Sequence, residues 1–330
     1  VETTDGSFRK NAPWFILEIT SRCNAECKYC YNVWHGRDLP DEPDLDFLRS
    51  VMGKIAGETA VSGITIAGGE PLLSPILIPL TRFLSSLDLP VGLATNGILL
   101  NREKARELAD AGVRYFEISM PAMRKETGIR LSGIDIADAC RKAVIAARPF
   151  AGALTVSAVL TAVNSAEIPE IARTAWSLSA DAFYINRFVP GGRGYLNASE
   201  LTPGDTCISA VLTELDLFSK RTGFPICTGI PIEPCIFPHF RWPSIKFGGC
   251  VCGETKWVVD PAGNLRTCEQ NPEVLGNLMT HSFTELASSD KSKRFRKRGF
   301  RGDQCATCPE VTACGGGCRF QAGADLGFRN

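Results

Sequence analysis

Three cysteines, Cys23, Cys27 and Cys30, stand at x3 and x2 spacing just after the first strand-like run. Three thiolates on one tight loop can hold three irons of a [4Fe–4S] cube. Electron-transfer clusters mostly use four cysteines, so a three-thiol loop leaves one iron for a bound cofactor or substrate. On spacing alone, a zinc site with a distant fourth ligand or a set of metal-free thiols stays open. A second group follows far downstream: Cys250 and Cys252, then Cys268, then Cys305-x2-Cys308-x5-Cys314-x3-Cys318. Taken alone, the last four would also suit one zinc. The chain has 330 residues and 14 cysteines, and a chain of this length buries enough surface to need no covalent staples. Clustering at short spacings therefore reads as metal ligation in a reducing, cytoplasmic setting rather than as an exported disulfide framework.

These groups need elements to carry them. Runs rich in Val, Ile, Phe and Tyr alternate with helical patterns, the mark of βα units around a parallel sheet. Six strands are expected, at Phe15–Ile19, Gly63–Ile66, Val91–Thr95, Tyr115–Ser119, Leu154–Leu160 and Ala182–Asn186. Helices are expected at Leu45–Ala56, Pro75–Ser86, Arg102–Ala111, Asp135–Ala147 and Ala166–Ser179. Asn101 supplies an N-cap for the third and Gly112 a stop. The α/β pattern fits a partial (β/α)6 TIM-type barrel or a doubly wound sheet, and either places its chemistry at the strand C-terminal ends. The rhythm breaks at Pro190-Gly-Gly-Arg-Gly194, and a helix near Asp205–Arg221 precedes a Pro-rich passage from Pro225 to Pro243. The expected division is 12–200 for the barrel, 201–249 for a linker and 250–330 for a Cys-rich domain too poor in apolar residues to form a core without metal.

The first cysteine motif resembles that of the radical S-adenosylmethionine (SAM) enzymes, Cys-x3-Cys-x2-Cys with an aromatic before the last cysteine, here Tyr29. The likeness continues with Gly68-Gly69-Glu70-Pro71 behind the second strand, the family's motif for the methionine amino group, and Thr95-Asn96-Gly97 behind the third. It implies that Cys23, Cys27 and Cys30 ligate a [4Fe–4S] cluster and that Tyr29, Gly68, Gly69, Glu70, Asn96, Ser119 and Arg130 border SAM. Met120-Pro121-Ala122 departs from the Asp-Gly turn of many relatives.

The C-terminal segment is similar to the SPASM extension of these enzymes, with the Gly263-x4-Cys268 turn, the Gly276-Asn277 step and the final four-cysteine run all present. That likeness implies one or two auxiliary [4Fe–4S] clusters. The first would take Cys268, Cys318 and two of Cys235, Cys250 and Cys252. The second would take Cys305, Cys308 and Cys314 with a fourth ligand from the pattern's seventh cysteine, which does not follow Cys318 in this sequence; a longer natural tail, an unusual ligand or an open iron stay open. Glu269 falls where sulfatase-maturating relatives carry an acid proposed as general base. Cys140, Cys207 and Cys227 read as core thiols.

The resemblance implies reductive cleavage of SAM and abstraction of a substrate hydrogen, on a peptide or protein side chain: a crosslink, an oxidation or a thioether. A small molecule such as a porphyrin or sugar is the alternative within enzymes, and a non-catalytic zinc or Fe–S scaffold the alternative outside them. Implied partners are a separate recognition protein and a flavodoxin- or ferredoxin-type reductant; the seven basic residues of Lys291–Arg301 are a candidate surface for an acidic leader peptide or such a reductant. The 36 basic and 36 acidic residues cancel, so no overall field draws in nucleic acid. The most apolar stretch, Ala143–Val163, is interrupted by Arg148 and Pro149 and is not a membrane span. Val1–Ala12 is polar and does not read as an export signal.

Overall fold

The computed structural model describes residues 12–32, 44–296, 305 and 307–320. All six expected strands form: β1 Trp14–Glu18, β2 Gly63–Ala67, β3 Val91–Thr95, β4 Val113–Ser119, β5 Ala153–Leu160 and β6 Ala182–Arg187. Between them lie α1 Leu45–Glu58, α2 Leu77–Ser86, α3 Arg102–Ala111, α4 Lys125–Ser132, α5 Ala137–Ala147 and α6 Ile168–Ser177. The strands pair in chain order and in parallel. This is the partial barrel that the βα rhythm predicts.

Side chains alternate across each strand, and the two faces differ in character. Phe15, Leu17, Ile64, Ile66, Phe116, Ile118, Phe183 and Ile185 pack outward in the continuous core under the helices. α1 adds Leu48, Val51, Met52 and Ile55 from one face, each contributing about 1.5–3 kcal/mol by leaving water. The inward register carries Thr65, Ala67, Glu117, Tyr184 and Asn186, and these line an interior cavity of ≈ 370 Å3. Where a closed eight-stranded barrel fills its centre with branched apolar residues, this one leaves it hollow, with hydroxyl, carboxyl and amide side chains set among apolar ones. Trp14 lies at the floor. Its indole sits where a side chain on Gly63 would stand, 2.2 Å from the ideal Cβ, and donates to Thr65 Oγ1 at 2.9 Å.

The stretch 201–249, expected as a linker, continues the barrel. After α7 Ala198–Leu201, the long helix α8 Asp205–Thr222 is followed by β7 Ile226–Thr228 and β8 Ile245–Phe247. These extend the parallel order beyond β6. Strands of three residues are too short to show an alternation, and the prolines around them read as loop. Even so, Ile232, Phe237 and Trp242 from the Pro-rich passage are buried in the common core.

The Cys-rich segment departs from expectation in the same direction. β9 Lys256–Val259 crosses to the other side of the sheet and pairs in parallel with β1. β10 Asn264–Arg266 and β11 Val274–Asn277 then add antiparallel strands outside it. The helix α9 Phe283–Ala287 sets Phe283 edge-on against Phe15, 5.2 Å between ring centroids, and against Trp257 at 5.4 Å. Trp257, Val259, Leu265, Leu275 and Leu286 belong to the same core as the barrel, so this part of the segment borrows a core from β1 and α1 instead of requiring a metal to build one.

α3 shows a local rule at work: Asn101 accepts a hydrogen bond from Lys104 N at 2.8 Å, and Gly112 closes the helix at φ +122°. Replacing Asn101 by Ala is expected to lower stability by about 1 kcal/mol, measured as a shift in urea midpoint with unchanged slope.

Candidate active site

The three-thiol loop leaves the C-terminal end of β1 and is clamped on every side by backbone. Gly69 N donates to Thr20 O at 2.8 Å and Glu70 N to Arg22 O at 2.7 Å. A Cβ on Gly69 would lie 2.1 Å from Arg22 O, and one on Gly68 would lie 2.5 Å from Thr20 O. Gly68 also holds φ +137°, which favours glycine. The glycine pair is therefore required by close approach to the root of the cysteine loop. On the opposite side, Glu26 N and Lys28 N donate to Ser132 O and Leu131 O at the end of α4, a helix that the sequence pattern did not reveal. The run Pro190-Gly-Gly-Arg-Gly194 supplies the third clamp. Gly194 N donates to Cys30 O at 3.3 Å, and Gly192, at φ +50°, sits where a Cβ would be 2.6 Å from Asn32 O and 2.8 Å from Cys30 O.

Glu70 is fully buried. Its carboxylate accepts from Thr95 Oγ1 at 2.7 Å, Asn96 N at 2.8 Å and Leu72 N at 3.1 Å, fixing the end of β3 beside the end of β2. Burial raises its pKa against the lowering effect of these three donors. Asn96 extends its amide to Asn24 Oδ1 at 2.7 Å, with Cys23 Sγ at 4.0 Å, so β3 also reaches the cysteine loop. Cys140, buried in α5, donates to Asn96 O at 3.6 Å. Tyr29 packs with Leu131, Phe188 and Leu201 beneath the loop. Ser119 ends β4 in register with Ser157. Arg130 lies at the outer rim, its Nε 2.8 Å from Glu200, which also holds Lys28 at 2.9 Å. Gly68, Gly69, Glu70 and Asn96 are thus brought against the thiol loop, whereas Arg130 ties α4 to α7.

The second thiol group meets the barrel at the mouth of the cavity. Cys250, Cys252, Cys268 and Cys318 all line it, together with Tyr31, Lys256, Glu269 and the inward Glu117 and Tyr184. The ligand atoms of Cys252, Cys268 and Glu269 lie within 4.8 Å of one another. Cys235 is not on this wall. None of the 14 cysteines is in a disulfide.

The donor chemistry fits iron–sulfur ligation. Burial raises Cys23 and pushes Cys30 up to about 11, with neighbouring thiols adding to each. The hydrogen bond that Cys250 donates to Cys252, then burial, hold Cys250 far above the thiol range. Crowded thiols resist losing their protons one after another, and a bound cationic centre removes that resistance. Cys23, Cys27 and Cys30 would hold the first cluster; Cys250, Cys252, Cys268 and Cys318 offer a complete set of four thiolates for another.

Glu269 is ionised in this setting. Burial alone would raise it, but the Lys256 ammonium, 2.9 Å away, brings its pKa below the ordinary carboxylate range. Sequence reasoning passed over Lys256 and also Glu117, a cavity-facing carboxyl that burial raises and a Ser157 hydrogen bond lowers in part. The signal for Glu117 was present in β4, where it shares the inward register with Tyr115 and Ser119.

An open parallel barrel that gathers cysteine loops around one hollow centre defines a metallocofactor enzyme. Residues 17–174 match the radical SAM superfamily, and residues 250–309 match the SPASM iron–sulfur cluster-binding domain. The chain thus carries a radical SAM domain and a SPASM domain, so its cofactors are SAM, a [4Fe–4S] cluster and auxiliary iron–sulfur clusters. It is 27% identical over 328 residues to PqqA peptide cyclase of Methylocella silvestris, covering 97% of this chain and 86% of that protein. Pre-heme d1 synthase of Dinoroseobacter shibae is 26% identical, with 94% and 82% covered. In fold, the chain is similar to Streptococcus suis SuiB bound to precursor peptide SuiA, at TM-score 0.75, 16% identity and 93% and 72% coverage. It is similar also to anSMEcpe with bound AdoMet and Cp18Cys peptide, at TM-score 0.74, 18% identity and 95% and 91% coverage. Among the described residues no helix is long and apolar enough to cross a membrane.

The glycine clamp yields a test. Gly192→Ala forces a Cβ into the backbone of Cys30–Asn32, so anaerobically reconstituted protein should lose iron from the N-terminal cluster while keeping its auxiliary iron. Iron analysis and electron paramagnetic resonance (EPR) of the reduced protein separate the two pools.

Proposed function

We propose that this enzyme modifies a side chain of a peptide or protein, by crosslinking, oxidation or thioether formation, in the cavity between its two cysteine regions. The observation that carries the reading is a hollow of ≈ 370 Å3 lined both by Tyr31, next in the chain to the N-terminal thiol Cys30, and by Cys250, Cys252, Cys268 and Cys318. When bound, SAM and the N-terminal cluster supply a one-electron cleavage whose 5′-deoxyadenosyl radical takes hydrogen from a substrate C–H bond.

The chain's own residues do the rest. Gly68, Gly69 and Glu70 fix the strand ends that border the SAM site, with Asn96, Ser119 and Tyr29 around it and Arg130 bracing α4 at its rim. The inward faces of β1 to β6 hold the substrate group and exclude water. Glu269 takes the proton released as the substrate is oxidised, and Lys256 keeps it ionised for that role. A position beside Cys268 lets the proton and the electron leave toward the same wall. A separate recognition chain and a flavodoxin- or ferredoxin-type reductant complete the reading. The basic run offered for them lies partly outside the described residues; within it, Lys291 holds Val274 O, Lys293 approaches Asp290 and Arg294 holds Glu273.

A small-molecule substrate is the second reading, favoured by the similarity to pre-heme d1 synthase. To separate the two, reconstituted enzyme is incubated with SAM, a strong reductant and either the short peptide encoded beside its gene or a porphyrin. Release of 5′-deoxyadenosine with loss of hydrogen mass from the peptide supports the first reading. Release coupled to porphyrin change supports the second, and zinc binding without SAM cleavage sinks both. In the same assay, Glu269→Gln should still cleave SAM but form product about 10²–10⁴-fold more slowly. Replacing Cys23, Cys27 and Cys30 together by Ala should abolish SAM cleavage and leave auxiliary iron bound.

A further inference from the structure

We propose that Cys235, on the connection between β7 and β8, is the fourth thiolate of the second auxiliary iron–sulfur cluster, joining Cys305, Cys308 and Cys314. The proposal rests on the reading that the SPASM region binds such clusters, and it places one ligand in the barrel's own connection rather than in the Cys-rich segment.

Three observations converge on Cys235. The first auxiliary set is complete without it, since Cys250, Cys252, Cys268 and Cys318 share one cavity wall from which Cys235 is absent. Second, Cys235 stands exposed on a tight turn in which Ile236 N and Phe237 N both donate to Glu233 O, at 3.1 and 2.9 Å. Ile232 and Phe237, on either side, are buried in the core, so the turn is anchored while its thiol projects.

Third, this turn abuts the last cysteines directly. Glu233 is pressed against Gly317, where a Cβ would meet its Oε1 at 2.1 Å and its Cδ at 2.7 Å. Arg187 holds the same carboxylate from the barrel side. Gly317 N donates to Cys314 O at 3.3 Å, and Cys308 N to Cys305 O at 3.3 Å, so the turn bearing Cys235 and the loop bearing the other three thiols share a boundary.

The three glycines after Cys314 explain how neighbouring cysteines serve different clusters. Gly315, Gly316 and Gly317 all take positive φ, +68°, +83° and +76°, a run that residues with a Cβ avoid. The chain turns back on itself there, leaving Cys314 beside Cys235 and returning Cys318 to the cavity wall of the first set. Ligands drawn from 235 and from 305–314 would pin the β7–β8 connection to the C-terminal segment through the cluster.

The test uses the full chain with Cys23, Cys27 and Cys30 replaced by Ala, so that only auxiliary iron is read. Cys235→Ala in this background should lose up to half of the remaining iron after anaerobic reconstitution, or turn the affected cluster into a three-iron species seen by EPR. The signal lost should be the one that Cys308→Ala removes and Cys268→Ala retains. Circular dichroism and gel filtration should be unchanged, because the Cys235 side chain is exposed. Retention of all iron and of both signals in Cys235→Ala overturns the proposal, and so does loss of the signal that Cys268→Ala removes. Failure of the parent background to bind any iron–sulfur cluster overturns the SPASM reading itself, a distinguishable result.

Discussion

A fully buried arginine ties the two cysteine regions together. Arg266, in β10, presents Nη2 to the carboxylate of Glu18 at the end of β1. Its Nη1 donates to the backbone oxygens of Glu269 at 3.0 Å, Asn271 at 3.1 Å and Cys268 at 3.4 Å. Glu18 lies five residues before Cys23, so a single guanidinium fixes the root of the N-terminal thiol loop and the turn that carries Cys268 and Glu269. Only arginine offers a rigid planar fork able to serve a carboxylate and several carbonyls at once. Breaking such a buried pair by removing one partner costs about 3–5 kcal/mol, and here the loss would fall on the spacing between two metal centres. The neighbouring Lys256–Glu269 pair depends on the same turn, so the charge state of the candidate base is set by the device that sets its position.

Much of this was legible in the sequence. Six strands and five barrel helices were readable because each is long enough to show its period and because caps such as Asn101 and Gly112 mark the ends. The motif thiols and Gly68-Gly69-Glu70 were readable because close backbone approach and metal ligation tolerate few residue types. The glycines proved to serve the cysteine loop, whose backbone they approach too closely for any side chain. α4 escaped notice because it is short and begins without a side-chain cap. β7 and β8 escaped because three residues carry no alternation. The 201–249 boundary failed for the same reason, the prolines there marking turns inside a core rather than a linker outside one. The choice among Cys235, Cys250 and Cys252 was not legible, because sequence does not say that Cys250 and Cys252 line the cavity and Cys235 does not.

The hollow barrel is the other constraint on chemistry. Its inward positions carry Thr65, Glu117, Tyr184 and Asn186 where a filled barrel would carry branched apolar side chains, and Trp14 lines a second hollow of ≈ 330 Å3 that shares Thr65, Glu117 and Tyr184 with it. The stability of the sheet therefore rests on its outward face, packed under the helices, leaving the inward face free to vary with the substrate. Tyr31, Gln270 and Arg319 at the upper rim come from three different segments, so the shape of the opening is a joint product of the thiol loop and the SPASM region.

The pairing of β1 with β9 has a consequence for how the molecule comes to exist. Trp14 is in register with Lys256 and Leu17 with Val259, partners separated by more than two hundred residues of chain. During synthesis β1 emerges before its partner, and one of its two edges stays bare until β9 has been made. Contacts of such long sequence separation form late and slowly. The first thiol loop is thus presented on a strand with one open edge well before Arg266, the partner of Glu18 at its root, has been made.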